Sequence, residues 1–494
     1  MKTGIQYGLI ILATALLLLS SCKKEYNGKA KDNLPPQTYT VVDTIIRHGT
    51  NSFSSQVQIN WWADDPDGFV TGYEYTFDSL ITASTIWHFT RSQDSLFVLA
   101  TPPGHDTVRF QFYVRAIDNL GMKDPTPAHL GYPVKNSPPT LVFVAGVNKP
   151  LRSFPVIKYF FSGSDPDGNA NLNHFEMCLN DSTQSPYLLD VSVNAITLSA
   201  VDFLSLHPAA MVYTNNSLTA LSNTANGLVL NDSNRIYLRA VDNAGAHSHW
   251  VGSYRIFIKK PVSNFLLVDG YPTGGAAVES FYAQHLQANG ISSFDTLQIF
   301  QQVGGAYTQL APDNLTQSRI FNLFHTICWF SNDAVNSFAI GQKTLNDFFN
   351  SNGRLLLAVY VSTSFDPQST ALDFTPADTL VVPADTTLLL ADTSSLFAQQ
   401  SGYPTLRSNA YIGTVRPFAL ASGATDLYHG NIIAKDNLTL SLSPWQRIST
   451  LIAKKSNTGG QTNLVLSTLE LQKLDGNLNM DAFFGKVMHG EFGL

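Results

Sequence analysis

Asp65-Pro66-Asp67-Gly68 recurs as Asp165-Pro166-Asp167-Gly168, and Tyr113-Val114-Arg115-Ala116-Ile117-Asp118-Asn119 recurs as Tyr237-Leu238-Arg239-Ala240-Val241-Asp242-Asn243. The order is the same in both copies, and a glycine (Gly121, Gly245) follows the second motif each time. Such a duplication constrains the fold more than composition does, because each copy must close its own core with the same devices. Before the first acidic turn, Val57, Ile59 and Trp61 alternate with Gln58, Asn60 and Trp62; Tyr159 and Phe161 replace Ile59 and Trp61 in the second copy. Alternation at period two ahead of a turn marks a half-buried strand. Proline then glycine supply the preset φ and the φ > 0 position of a tight reversal. Phe110 to Ile117 alternates as well and ends in Asp-Asn-x-Gly. Two tandem all-β units are expected, over residues 38–135 and 136–261, the second lengthened within 183–233.

These landmarks resemble the fibronectin type III and related immunoglobulin-like sandwiches. In that family a strand-B tryptophan lies near the first turn, and a tyrosine-bearing strand F runs into the F–G turn. Trp61 and Tyr113 match those places, as do Phe161 and Tyr237 in the second copy. The resemblance implies that both turns share one pole, so that Asp64, Asp65, Asp67 and Asp118 converge, and likewise Asp165, Asp167 and Asp242. Oxygen-rich turns of this kind could hold Ca²⁺, which takes about six to eight oxygens. The competing expectation, favoured here, is that the carboxylates cap their own turns and no metal is bound. His247 and His249 offer two imidazoles without an evident third ligand and read as part of a surface strand.

The pattern changes after residue 261. Phe265-Leu266-Leu267-Val268 is continuously apolar, as in a strand buried on both faces. A helical pattern covers about Ala276–Ala288 and stops at Asn289-Gly290. Strands follow near 294–299 and 326–330, then a helix over about Phe338–Asn350 and a buried strand over 354–361. Asn463–Ser467 reads as a strand and Asp481–Phe492 as a helix. Alternating strands and helices predict an α/β domain over 262–494, its mostly parallel sheet covered by helices on both faces. Residues from about 362 to 460, rich in Thr, Asp and Pro, read as an insertion.

Over 262–361 and 460–494 the layout resembles the class I glutamine amidotransferase-like fold, including its ThuA-like group. Leu267-Val268-Asp269, Cys328-Trp329-Phe330-Ser331 and Asn352-Gly353-Arg354-Leu355-Leu356-Leu357 carry that resemblance. Catalytic members keep a nucleophilic cysteine on a sharp turn after the strand equivalent to 355–361. Here the turn reads Val361-Ser362-Thr363-Ser364-Phe365, without cysteine or flanking glycine. Gly270-Tyr271-Pro272-Thr273-Gly274-Gly275 lacks the Gly-Lys-Ser/Thr ending of a phosphate loop. The region is therefore expected to be non-catalytic, with no cofactor. Ser362 paired with His429 is the one alternative catalytic arrangement. Open parallel sheets bind ligands beyond the carboxyl ends of their strands, which nominates Asp269, Ser331, Asn332, Asp333, Ser362 and Glu470 as a ligand pocket.

At the start of the chain, Lys2 precedes the apolar stretches 9–13 and 16–19, too short together to span a bilayer, which takes about 20 residues. They have the proportions of an export signal. Leu19-Ser20-Ser21-Cys22 resembles the lipobox of bacterial lipoproteins. The resemblance implies a signal peptide over 1–21 and a Cys22 lipidated on sulfur and amine, palmitate among its acyl chains, which would anchor the chain in a membrane. Residues 22–37, polar and ending in Leu34-Pro35-Pro36, read as a tether.

Charged residues make up 14% of the chain, against roughly 25% in an average soluble protein. Net charge is −7 with no long basic block, which argues against a nucleic-acid partner. Cys178 and Cys328 lie in apolar runs and are expected to be buried thiols, not a disulfide. Two function classes remain. The first is a cell-envelope binding or scaffold lipoprotein, outer-membrane in location, with the side of the membrane left open, whose ligand is a protein or glycan. The second is an envelope hydrolase acting on a sugar or related small molecule through the α/β region.

Overall fold

The computed structural model describes residues 31–47, 53–99, 101–102, 104–105, 107–144, 149–303 and 306–494; residues 1–21, expected to be a signal peptide, and Cys22 lie outside them. The chain forms two compact units, Met1–Ser137 and Pro138–Leu494.

In the first unit, strands Gln37–Arg47, Phe53–Asp64 and Asp94–Val98 form one antiparallel sheet. His88–Thr90, Val70–Thr76, Thr107–Asp118 and Ala128–Lys135 form a second. The two sheets make an immunoglobulin-like sandwich. Val57, Ile59 and Trp61 meet Phe112, Val114 and Ala116 in its core, as the alternation requires. Trp61 also satisfies its polar end, its Nε1–H donating to Ser92 O at 2.9 Å. Tyr113 does not enter this core: its ring stacks on His129 at 4.4 Å, and Phe112 fills the space beside Trp61.

The second sandwich pairs Thr140–Phe143, Val156–Ser164, Ala195–Ala200, Ala210–Thr214 and Thr224–Ala225 in one sheet. Its other main sheet holds Tyr187–Asp190, Leu172–Leu179, Ile236–Asp242 and Val251–Gly252. The extra length of this copy is spent on Ala210–Thr214 and Thr224–Ala225, which widen the first sheet. The repeated arginine has one role in both modules. Arg115 sits across from Glu74, bonded at 2.8 and 3.0 Å, and lies 3.9 Å over Trp87. Arg239 sits across from Glu176, bonds it, and lies 4.5 Å over Trp250.

The remaining region is built on a nine-stranded sheet. Its strands in chain order are β1 (Phe265–Asp269), β2 (Asp295–Gln298), β3 (Thr326–Ser331), β4 (Arg354–Val359), β5 (Ser395–Ala398), β6 (Leu406–Arg407), β7 (Ala424–Gly430), β8 (Thr450–Ser456) and β9 (Thr462–Ser467). The order across the sheet is β2-β1-β3-β4-β9-β8-β7-β5-β6. From β2 to β9 the pairs are parallel; from β9 to β6 they are antiparallel. The sheet is thus mixed, and residues 362–460 are not an insertion set apart from it: they supply β5, β6, β7 and β8. Leu451, Ile452 and Ala453 of β8 are fully buried, which ties this stretch into both faces of the core.

Helices α1 (Ala276–Ala288) and α5 (Met480–Gly485) cover one face, packing Tyr282, Leu286, Phe483 and Phe484 on Leu267, Phe330 and Leu356. Helices α2 (Asn314–Phe321), α3 (Ala334–Thr344) and α4 (Asn346–Asn350) cover the other with Phe321, Phe338 and Phe348 on Val268, Trp329 and Leu357. Strands sandwiched in this way read as the unbroken apolar runs of β1, β3 and β4.

The second sandwich belongs to the same compact unit as this sheet. Phe154 packs edge-on against Phe324 at 5.1 Å, and Arg319 of α2 lies 3.6 Å over Tyr213. Lys259 pairs with the fully buried Asp295 at 2.9 Å.

Candidate functional site

The carboxyl ends of β1, β3, β4 and β9 bring Asp269, Ser331, Tyr360 and Glu470 to one edge of the sheet. Asp269 is buried, and its Oδ1 accepts the amide of Tyr271 at 2.8 Å. The start of α1 lies against the same carboxylate: a Cβ on Gly275 would stand 2.0 Å from Oδ2, so only glycine fits there. Burial pushes the Asp269 carboxyl up to about 6, with the Glu279 charge adding to the rise and the Tyr271 amide opposing it.

Glu470 accepts from the Tyr271 hydroxyl and, at 3.3 Å, from Gln472 Nε2, and it pairs with Lys473. Gln472 Nε2 also donates to Tyr271 Oη at 2.9 Å. Burial pushes the Tyr271 phenol far above its ordinary value, and Glu470 adds to it. A neutral Tyr271 therefore holds Glu470 as a donor.

The other nominated residues fasten the backbone. Ser331 Oγ donates to Gly270 O at 2.9 Å and takes the Asp333 amide at 2.9 Å. Asp333 caps α3, accepting from Asn336 N at 3.1 Å. Asn332 is exposed beside them. Ser362 Oγ is bonded to Ser364 Oγ at 2.8 Å. His429 is not brought to Ser362. It lies on β7, three strands from β4, about 14 Å at the usual strand spacing, and its ring bonds Asp426. Cys328 is fully buried and its thiol is pushed well up by burial; Cys178 is buried too, and neither forms a disulfide.

One residue at this edge escaped the sequence reading. Arg416 accepts a bond from Thr468 Oγ1 on its carbonyl at 2.9 Å, which holds it beside the end of β9. It is 6% exposed, and its Nε is buried without an acceptor. Burial lowers the guanidinium from its ordinary value, with Tyr360 acting in the opposite direction. Lys473 lies 5.9 Å over the Tyr360 ring. No local motif signals a buried arginine in a polar loop.

At the poles of the sandwiches the carboxylates cap turns. Asp65 and Asp165 accept the amides of Asp67 and Asp167 at 3.4 and 2.7 Å. Asp118 accepts from Leu120 and Met122, both at 2.8 Å, and Asp242 from Ala246 at 2.8 Å. Asp67 takes the amide of Leu34 at 3.2 Å. Asp165 is raised to about 6 by burial, and the charges of Asp167 and Asp242 add to it. Among the described residues no group of three or more His, Cys, Asp or Glu is arranged to hold a metal ion.

No protein-family model matches the chain, and no curated protein does. Among solved structures it is similar to the PKD1 domain of Vibrio anguillarum Epp, at 13% identity over 21% of this chain and 98% of that one, TM-score 0.15. It is also similar to the fibronectin(III)-like modules of Clostridium thermocellum CbhA, at 12% identity over 44% of this chain and 94% of that one, TM-score 0.18. A two-domain fibronectin type III segment of chicken tenascin shares 9% identity over 41% of this chain and 93% of that one, TM-score 0.19. At such TM-scores these likenesses say nothing of activity, and the sandwich description stands on the chain's own strand pairing.

Proposed function

We propose that this chain is a membrane-anchored cell-envelope lipoprotein that binds or scaffolds, with two sandwich modules and a non-catalytic mixed-sheet region. The observation that carries the second half of this reading is the occupation of the sheet's carboxyl edge. Ser331 and Asp333 are committed to backbone and cap bonds, Ser362 to Ser364, and Glu470 to Tyr271, Gln472 and Lys473. Acyl transfer needs a nucleophile within reach of a base, and of the alternative pair Ser362 follows β4 while His429 lies on β7, with β9 and β8 between those strands. The anchor rests on Leu19-Ser20-Ser21-Cys22. The ligand is a protein or glycan of the envelope, and the outer membrane is the proposed location.

The hydrolase reading is favoured by one observation, the raised carboxyl of Asp269 at a sheet edge where general acids and bases are commonly found. The full chain should release no product from chromogenic esters, amides or glycosides above the buffer rate. Turnover that disappears in Asp269→Asn or Ser362→Ala would establish the hydrolase instead.

A further inference from the structure

Four cations of the second unit have a carboxylate partner. Lys158 has Asp313, Arg239 has Glu176, Lys259 has Asp295 and Lys454 has Glu491. Arg416 is nearly as buried as Lys158, yet its guanidinium makes no ion pair or hydrogen bond with any described residue. Glu470, the carboxylate of the same edge, is already met by Lys473 and by the Tyr271 hydroxyl. An arginine cannot shed its proton to escape burial, and a buried charge without a counter-charge is strongly unfavourable. Such a residue becomes favourable when an anion completes it.

Its position agrees with that role. Ser467 of β9 pairs with Ala358 of β4, so Thr468 leaves the sheet level with Val359, one residue before Tyr360, and Thr468 holds the Arg416 carbonyl. Arg416 therefore stands beyond the carboxyl ends of two adjacent parallel strands, where open α/β sheets receive ligands. Lys473 is matched by Glu470, so that carboxylate is already taken.

We propose that Arg416, beside Tyr360, is the recognition point for a carboxylate of the ligand. A planar guanidinium offers two parallel N–H donors that fit a carboxylate fork, and a monoanion matches the single positive charge of Arg416. A dianionic phosphate would be repelled by Asp269 and Glu470 at the same edge. This deepens the binding reading of the mixed-sheet region and rests on it.

The experiment is thermal unfolding and calorimetric titration of the full chain at pH 7 with sodium acetate, benzoate and glucuronate, against sodium chloride and sodium phosphate at matched ionic strength. The unfolding midpoint should rise with at least one carboxylate, as for any ligand that binds only the folded state. Arg416→Met should weaken that binding at least tenfold, while its ligand-free midpoint stays level or rises, since the orphan charge is gone. Arg416→Lys should lose most of the response, because a point charge lacks the fork. The proposal is overturned by a wild-type chain indifferent to all three carboxylates, by an equal response in Arg416→Met, or by a response to phosphate alone. A clear fall in the ligand-free midpoint of Arg416→Met overturns it too, because the arginine would then be structural. Hydrolysis of a chromogenic substrate, read separately as product, would defeat the non-catalytic reading without touching these shifts.

Discussion

Lys158 of the second sandwich, 1% exposed, is ion-paired with Asp313, the residue that caps helix α2 of the mixed-sheet region. Its ammonium also reaches Asn216 Oδ1 at 3.1 Å, and Asp313 takes the Thr316 amide at 2.8 Å. One carboxylate thus starts a helix and closes the seam between a sandwich and a sheet that the sequence divides at residue 261.

Removing the lysine alone should be costly. Lys158→Ala leaves Asp313 beside a cavity without its counter-charge, and a loss of about 3 kcal/mol is expected, the low end for a broken buried pair because Asp313 keeps some contact with water. The double variant Lys158→Met with Asp313→Ser should recover most of that loss, since serine still caps the helix and no charge stays buried. Denaturant unfolding of the three proteins checks this; a double variant no better than Lys158→Ala would refute it.

The same pair makes the fold acid-sensitive. Burial by itself would raise Asp313, but the Lys158 ammonium and the Thr316 amide and hydroxyl outweigh it and hold the carboxyl below its ordinary value. A depressed carboxyl contributes stability that is complete above its unfolded pKa, about 3.9, and is lost as pH falls through the folded value. Asp313→Asn should therefore flatten the stability loss below about pH 4, measured by unfolding between pH 2 and 5.

Asp165 has the opposite sign. Its folded pKa of about 6 lies above the unfolded value, so the folded state binds the proton more tightly. Stability falls as pH rises from about 4 to 6 and stays lower beyond it. Asp165→Asn keeps an acceptor for the Asp167 amide and removes the charge. A gain of about 1–3 kcal/mol is expected at pH 7, from a shift of roughly two units, with little gain at pH 4. An equal effect at both values would contradict the assignment.

Because the polar carboxylates cap their own turns, Ca²⁺ should find few free oxygens. Titration of the chain should give at most a weak, millimolar-class response, as in about the weakest extracellular sites. Micromolar binding lost in Asp242→Asn would overturn the capping account.

How far the sequence carried can be seen element by element. Helix α1 was legible to its ends, since its apolar stripe stops at Asn289-Gly290 and Gly290 takes φ 77° there. The apolar runs of β1, β3 and β4 were equally plain. Strand β7 was not: shifts of register between Asp426 and Tyr428 and again between Tyr428 and His429 break the alternation that would announce it. Four strands inside 362–460 therefore looked like an insertion, when they extend the sheet. The helix expected over 338–350 begins at Ala334 and breaks at Leu345, and its cap, Asp333, is among the residues the sequence nominates for a ligand pocket. A cap and a ligand-binding carboxylate are the same residue type at the same strand end, so only the bond to Asn336 separates them. Arg416 was invisible because its burial depends on strands distant in the chain.

Tethering to a membrane would rest on Cys22. Cells expressing the wild-type chain, and the chain carrying Cys22→Ala, are to be labelled with a palmitate analogue, fractionated, and the protein weighed intact. The wild type should carry label, sediment with membranes and have lost residues 1–21; Cys22→Ala should carry no label and accumulate as precursor. Normal processing of Cys22→Ala, or a wild-type chain without acyl label, would contradict the tethered-lipoprotein reading.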